Sequence, residues 1–295
     1  MEESLVDAAI SMEETSVDVR WFSESASTSS QASRNPASSN QTRSLPVLDT
    51  NSVYYDMKGK KYMIIYNHHT YKKTRYFKGQ PNPRNGTYED VKSLKQLFSK
   101  LDFEVIVYHD KEYQEIEESL RSFCNDNHSE TSCVCVVILS HGGKGGELYA
   151  ADRPYQLQKL IELFEIGDPG LVTKPKLFLV QACRGRLMDE GKSVQVDGDD
   201  SNVIKIPTHS DFLVLCSTVE DYVAYRDKNG SWMVQAFCEM VEKYHQELDI
   251  LQIITLMNQK VAIGRVSHNP DNPEFHGKKQ MPETRFTLTK FFKFK

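Results

Sequence analysis

Cys183 lies in Gln181-Ala182-Cys183-Arg184-Gly185, directly after the apolar run Lys176–Gln181. His141 stands 42 residues earlier in Ser140-His141-Gly142-Gly143, directly after a second apolar run, Cys133–Leu139. A thiol and an imidazole therefore sit at the ends of two strand-like segments. Open parallel sheets bind ligands beyond the carboxyl ends of their strands, so both groups fall where chemistry is done. A cysteine thiol ionises near pH ~8.5, and a neighbouring imidazolium raises its thiolate fraction. The pair suits acyl transfer from a peptide. Cys183 attacks, and His141 carries the proton to the leaving amine. Gly142 has no side chain, so its N–H can approach the developing oxyanion, with the N–H of Cys183 as second donor.

The flanking pattern supplies the elements that must hold these groups. Lys61–Asn67, Glu104–Tyr108, Cys133–Leu139, Lys176–Gln181 and Asp211–Ser217 read as strands. Thr87–Leu101, with Tyr88, Val91, Leu94, Leu97, Phe98 and Leu101 at helical spacing, reads as an amphipathic helix. Tyr113–Cys124, Tyr155–Phe164, Ser231–Tyr244 and Leu251–Ile263 read as further helices, and Arg285–Phe294 as a last strand. Strand–helix alternation of this kind predicts an α/β fold, a parallel sheet with helices on both faces. Residues 185–208 form a polar, acidic stretch containing Asp197-Gly-Asp-Asp200, of the kind expected in a functional loop or linker.

The chain has 295 residues, 36 basic and 41 acidic. Residues 1–50 hold eight acids and three bases, which accounts for the whole net charge of −5. The balanced remainder carries no nucleic-acid footprint. Nine of the 22 residues from Ser23 to Ser44 are serine, a composition that buries too little apolar surface to offset chain entropy. Residues 1–50 are therefore expected to be disordered. No apolar stretch reaches membrane-spanning length and the Met-Glu-Glu-Ser start lacks a signal-peptide pattern, so a cytoplasmic protein is expected. Cys133, Cys135, Cys216 and Cys238 lie in apolar runs and read as reduced core thiols. His68-His69 reads as a solvated strand end. With no Cys-x-x-Cys or His-x-x-x-His, zinc is disfavoured and no cofactor is expected.

Gln-Ala-Cys-Arg-Gly with an upstream histidine is an established signature of caspases, cysteine endopeptidases that cut after aspartate. Residues 54–295 resemble that family. The resemblance implies a three-layer sandwich around a mostly parallel six-stranded sheet, with the last strand antiparallel and at a dimer interface. It assigns the same roles to Cys183, His141 and Gly142, and orients the imidazole with a backbone carbonyl, that of Asn82.

The resemblance also implies a pocket for the substrate aspartate. It consists of Arg84 in Asn82-Pro-Arg-Asn-Gly86, Gln181 at the end of the strand that delivers Cys183, and Arg226 in Tyr225-Arg-Asp-Lys-Asn-Gly-Ser-Trp232. A guanidinium fork grips a carboxylate bidentately and stays charged when desolvated, and such a pocket rejects other side chains because unpaired buried arginines are costly. Tyr225 and Trp232 would wall the second and fourth substrate pockets. Asp227 stands where acid-preferring members carry asparagine, so an acid at the fourth residue before the cut is not expected to be required.

Asp197, in Val194-Gln-Val-Asp197-Gly198, resembles the site at which caspases are cut into subunits. The division expected is a prodomain, 1–50, a large subunit, 51–197, and a small subunit, 198–295, with linker to about residue 208. Asp18 is a candidate for tail removal, with Asp7 and Asp49 as weaker competitors. The short tail implies an executioner of apoptosis, made as a zymogen and working as a homodimer of large/small pairs. Upstream caspases, inhibitor-of-apoptosis proteins and protein substrates are the implied partners. A catalytically silent caspase-like regulator is the alternative. A related peptidase cutting after basic residues is disfavoured, because two pocket arginines have the wrong sign for it.

Overall fold

A computed structural model of the chain describes residues 5–6, 52–187, 210–270 and 272–294. Asp18 and Asp197, and most of the tail and linker that contain them, lie outside the described residues.

Six strands form the central sheet: β1 (Lys60–Asn67), β2 (Phe103–His109), β3 (Thr131–Leu139), β4 (Lys176–Gln181), β5 (Phe212–Cys216) and β6 (Glu283–Phe286). Their spatial order is β6-β5-β4-β3-β1-β2. All neighbours are parallel except β6, which runs antiparallel to β5. β3 and β4 are buried at every position, as strands covered on both faces must be, and this explains their unbroken apolar sequence.

Alternate residues serve two cores. Met63, Ile65, Cys133, Cys135, Val137, Leu177 and Leu179 face α1 (Thr87–Lys100), α4 (Trp232–Tyr244) and α5 (Ile250–Gly264). Ile64, Tyr66, Val134, Val136, Ile138, Phe178 and Val180 face α2 (Tyr113–Asn125) and α3 (Gln158–Glu165). Two of the helices, α2 and α5, start where side chains satisfy their first N–H groups. Glu112 and Glu115 form a reciprocal capping box at α2, and Asp249 and Gln252 form one at α5. The α1 apolar spacing is matched by burial of Val91, Leu94, Leu97 and Phe98. Leu94 is fully buried, so Leu94→Ala should cost about 2–5 kcal/mol.

Three expectations need correction. The last strand stops at Phe286 rather than continuing to Phe294. Phe286 is half exposed, whereas Phe292 and Phe294 turn into the core against Tyr55 and Phe98. The turn is held by the Ile250 N–H on the Phe292 carbonyl, 2.8 Å, and by Tyr55 and Phe291 exchanging bonds with the adjoining backbone. The aromatic alternation reported burial, not a continued ladder. Tyr155 is not helical but lies in a short strand, Pro154–Gln156, paired with Glu147–Tyr149. His68 is fully buried, with Nε2 3.0 Å from the Lys111 carbonyl and its ring stacked near Tyr71. Burial pushes its pKa down to about 4. The neighbouring loops close over this strand end, which the dipeptide by itself does not signal.

Within the tail, Leu5–Val6 forms a two-residue strand that pairs antiparallel with Tyr225–Asp227. These are apolar residues outside the serine-rich stretch, and an open strand edge offers them main-chain partners.

Candidate active site

The parallel ladder between β3 and β4 sets Leu139 opposite Gln181, and the Ser140 N–H donates to the Gln181 carbonyl at 3.0 Å. His141 and Cys183 each stand two residues beyond that matched pair, so the sheet register delivers them side by side. Gly142 lies hard against the nucleophile's backbone. A Cβ at Gly142 would sit 2.0 Å from the Cys183 carbonyl oxygen and 2.9 Å from that of Glu147. No other residue fits this position without moving the chain that carries the thiol.

The His141 ring places Nε2 2.8 Å from the Asn82 carbonyl oxygen, the carbonyl to which the resemblance points. The backbone N–H of His141 donates to the Tyr71 hydroxyl at 3.0 Å, and the Tyr71 ring lies 5.1 Å from the imidazole, centroid to centroid. The same hydroxyl pairs with Ser140 Oγ at 2.9 Å. Ring plane and backbone are thus both tied down, as an orienting shell requires.

Cys183 is fully buried in a small cluster with Val223, Ala224, Tyr225 and Trp232. Its Sγ accepts from the Ala224 N–H at 3.1 Å. The preceding residue is clamped by Ser217, whose hydroxyl donates to the Ala182 carbonyl at 2.8 Å and accepts from the Ala182 N–H at 3.2 Å. Arg184, in the same pentapeptide, turns away from the thiol and pairs with Glu283 on β6.

Arg84, Gln181 and Arg226, the residues expected to hold the substrate aspartate, come from three segments, and all are buried. Arg84 donates to the His68 carbonyl at 3.1 Å and to Thr87 Oγ1 at 2.8 Å. Gly86, two residues on, adopts φ +86°, a left-handed turn that glycine takes without strain. A Cβ there would lie 3.1 Å from the Asp227 carbonyl and 3.6 Å from Arg226 Cδ. This close approach brings the Arg226 stem against the loop that carries Arg84. Tyr225 and Trp232 stack with centroids 4.9 Å apart.

Four residues that hold this arrangement escaped the sequence reading: Tyr71, Ser217, Asp90 and Gln280. Buried Asp90, in the first turn of α1, accepts from the Ser231 N–H at 2.8 Å and from Gln235 Nε2 at 2.9 Å, and also takes the Ser231 hydroxyl. Burial raises its pKa, with the Ser231 and Gln235 bonds opposing. Gln280 accepts from the Tyr225 N–H and donates to the Ser217 carbonyl, both at 2.7 Å. An acid in a first helical turn usually reads as a solvated dipole partner, so Asp90 gave no local signal. Ser217 alone had one, its place at the carboxyl end of β5.

The family model for the caspase domain matches residues 60–293. The chain belongs to the caspase family. Caspase drICE of Drosophila melanogaster is 37% identical over 257 residues, 84% of this chain and 74% of that protein. Caspase-7 of Gallus gallus is 38% identical over 219 residues, 70% of this chain and 69% of its own length. The crystal structure of caspase-1 from Spodoptera frugiperda superposes with a TM-score of 0.76 at 35% identity, covering 85% of this chain and 97% of that one. The order of the sheet and its antiparallel last strand are those expected of a caspase fold. Among the described residues, no helix is long and apolar enough to cross a membrane.

Proposed function

We propose that this caspase is an active cysteine endopeptidase that cleaves protein substrates after aspartate. The observation that carries the reading is the convergence of two buried arginines, Arg84 and Arg226, behind Gly86, at the sheet edge where β4 presents the thiol. Guanidinium forks suit a carboxylate side chain, which each can hold bidentately.

In the proposed reaction the Cys183 thiolate attacks the carbonyl carbon of the substrate aspartate. The oxyanion takes hydrogen bonds from the N–H groups of Gly142 and Cys183. As the C–N bond breaks, the leaving amine takes a proton from His141. Water then hydrolyses the thioester, regenerating the thiol. Gln181 and the Arg84 and Arg226 guanidiniums hold the aspartate, and the Arg226 backbone aligns the peptide. Tyr225 and Trp232 cover its apolar positions.

At the fourth position before the cut, Asp227 faces Arg265 at 3.7 Å, so its negative charge is partly offset. The groove beside it also carries Glu239, Glu242 and Lys100. This mixed lining supports a pocket with no requirement for an acid.

In the same reading, cleavage after Asp197 by upstream caspases separates large and small subunits that remain in one sheet. Two such pairs join along β6, where Phe286 and Met281 are exposed beside an open strand edge. The executioner role in apoptosis, the cytoplasmic location, restraint by inhibitor-of-apoptosis proteins and tail removal at Asp18 follow from the family.

The test is an Asp-ending tetrapeptide reporter, together with covalent labelling by an Asp-directed inhibitor. Turnover, and labelling confined to Cys183, are expected. A folded protein that neither turns over nor labels would instead be a silent regulator. A large preference for Asp over Val at the fourth position would sink the pocket assignment alone.

A further inference from the structure

β1 ends at Asn67 and α1 begins at Thr87, so residues 68–86 join them without a helix or strand. A connection this long with no regular structure is usually functional. Two of its residues already serve the catalytic pair. The Tyr71 ring lies 5.1 Å from that of His141, and Asn82 supplies the carbonyl that His141 Nε2 meets. Between them runs Lys72-Lys73-Thr74-Arg75-Tyr76-Phe77-Lys78, four cations in seven residues with no acid.

This segment is anchored. The Lys72 N–H donates to the Ala151 carbonyl at 2.7 Å, the Thr74 hydroxyl to the Asp152 carbonyl at 2.6 Å, and Gln80 Nε2 to the Tyr71 carbonyl at 2.7 Å. Phe77 packs against Tyr71 and Tyr149, with centroids 6.4 and 5.0 Å apart. The charges stay outside: Lys72, Lys73, Arg75 and Lys78 are all exposed. Lys72 pairs with Glu112, but Lys73, Arg75 and Lys78 form no ion pair among the described residues. Arg75 and Arg153 flank one exposed ring, that of Tyr76, with their guanidinium carbons 5.2 and 4.8 Å from its centroid. Asp152 offsets only Arg153, at 2.7 Å. Two guanidiniums brought to one ring repel each other, and an incoming carboxylate relieves that repulsion.

The path of the substrate decides which of its residues meet these charges. The leaving amine takes its proton from His141, so the chain after the cut departs past the imidazole and over the loop packed against it. Ring contacts of 5.1 and 6.4 Å lead from His141 to Phe77. About three to five extended residues, at roughly 3.3 Å each, cover that path and the exposed charges next to it. We propose that the Lys72–Lys78 segment, with Arg153, is a docking surface for acidic side chains of a protein substrate, three to five residues after the scissile bond. This rests on the reading that the site cleaves after aspartate, and adds a preference on the far side of the cut. The charge balance of the rest of the body favours an acidic peptide over a nucleic acid, which needs a wider basic face.

The experiment compares two fluorogenic peptides, identical through the aspartate and the two residues after the cut. One then carries three glutamates and the other three serines. At low salt the wild type should cleave the glutamate peptide with roughly fivefold higher kcat/KM, mainly through KM, and about 0.5 M salt should erase the difference. Lys73→Glu/Arg75→Glu should abolish or invert the preference, and Lys78→Gln, away from the Thr74 anchor, should reduce it about twofold. Both variants should cleave a tetrapeptide reporter, which has no residues after the cut, at the wild-type rate. Equal rates on the two peptides, or a preference that survives both variants, overturns the proposal. If neither peptide nor reporter is cut, the aspartate reading falls. Anisotropy of the labelled peptides on Cys183→Ala protein then decides the docking alone: tighter binding of the glutamate peptide supports it, and equal binding overturns it. Displacement of the glutamate peptide by an oligonucleotide at lower concentration would give the surface to nucleic acid and overturn the peptide assignment.

Discussion

The two halves of the cleft are built by different means. His141 and Cys183 ride on neighbouring parallel strands, each two residues past a backbone pair that the ladder matches. Their proximity is a property of the sheet and is backed by its two apolar cores. The proposed aspartate pocket has no such frame. Arg84, Gln181 and Arg226 come from a loop, a strand end and a short hairpin. They are held together by a left-handed glycine, a buried carboxylate and a bridging glutamine. A catalytic pair set by register resists loss of single polar bonds. A pocket set by side-chain bonds does not.

That contrast can be broken or sharpened by mutation. Cys183→Ala should remove about four orders of magnitude or more of turnover while leaving the melting temperature close to that of the parent, since the sheet does not depend on the thiol. A melting temperature lowered by many degrees would show that the nucleophile also frames the sheet. Arg226→Lys keeps the charge but loses the fork, so kcat/KM on Asp substrates should fall about 10²–10³-fold, most of it in KM. Kinetics in which KM is unmoved would argue against a pocket role.

Asp90→Ala should act on the pocket half only. It leaves the Ser231 N–H, the Ser231 hydroxyl and Gln235 without their acceptor, at a cost of about 2–3 kcal/mol. The expected reading is a raised KM with Cys183 labelling by a small alkylating agent unchanged. Equal losses in both would mean that the halves are not separable.

The effect expected to touch catalysis least is a pH effect on stability at His68, beneath Arg84. Its folded pKa, about 4, lies below the ordinary histidine value of 6.5, so the unfolded chain binds the proton more readily. Stability is then full above about pH 6.5 and falls as pH drops toward 4, by at most roughly 3 kcal/mol. Asp110 favours the protonated ring and Arg84 opposes it. Urea melts at pH 7 and pH 5 should show this loss in the parent and a smaller one in His68→Asn. Parallel losses in both would assign the pH effect elsewhere.

Much of this was legible in the chain itself. β3 and β4 announce themselves as unbroken apolar runs, and the residues after each run are the ones proposed to carry the chemistry. Helix spacing in α1 was an equally local feature, whereas the arginines came from the family resemblance. The departures share a cause. Phe292 and Phe294 alternate like a strand but fold back into the core, and His68 looks like a polar strand end but is sealed by loops distant in sequence. Asp90, Ser217 and Gln280 are ordinary polar residues until folding buries them.

Sequence alone determined which residues are proposed to do the chemistry, because a thiol and an imidazole stand at the ends of recognisable strands and the resemblance singles out the arginines. Only the tertiary structure decided how those residues are held and that Leu5–Val6 pairs with Tyr225–Arg226. Buried polar bonds and strand register join residues as far apart as Leu5 and Arg226. Their free energy comes from removing both partners from water together, which no stretch of chain records by itself.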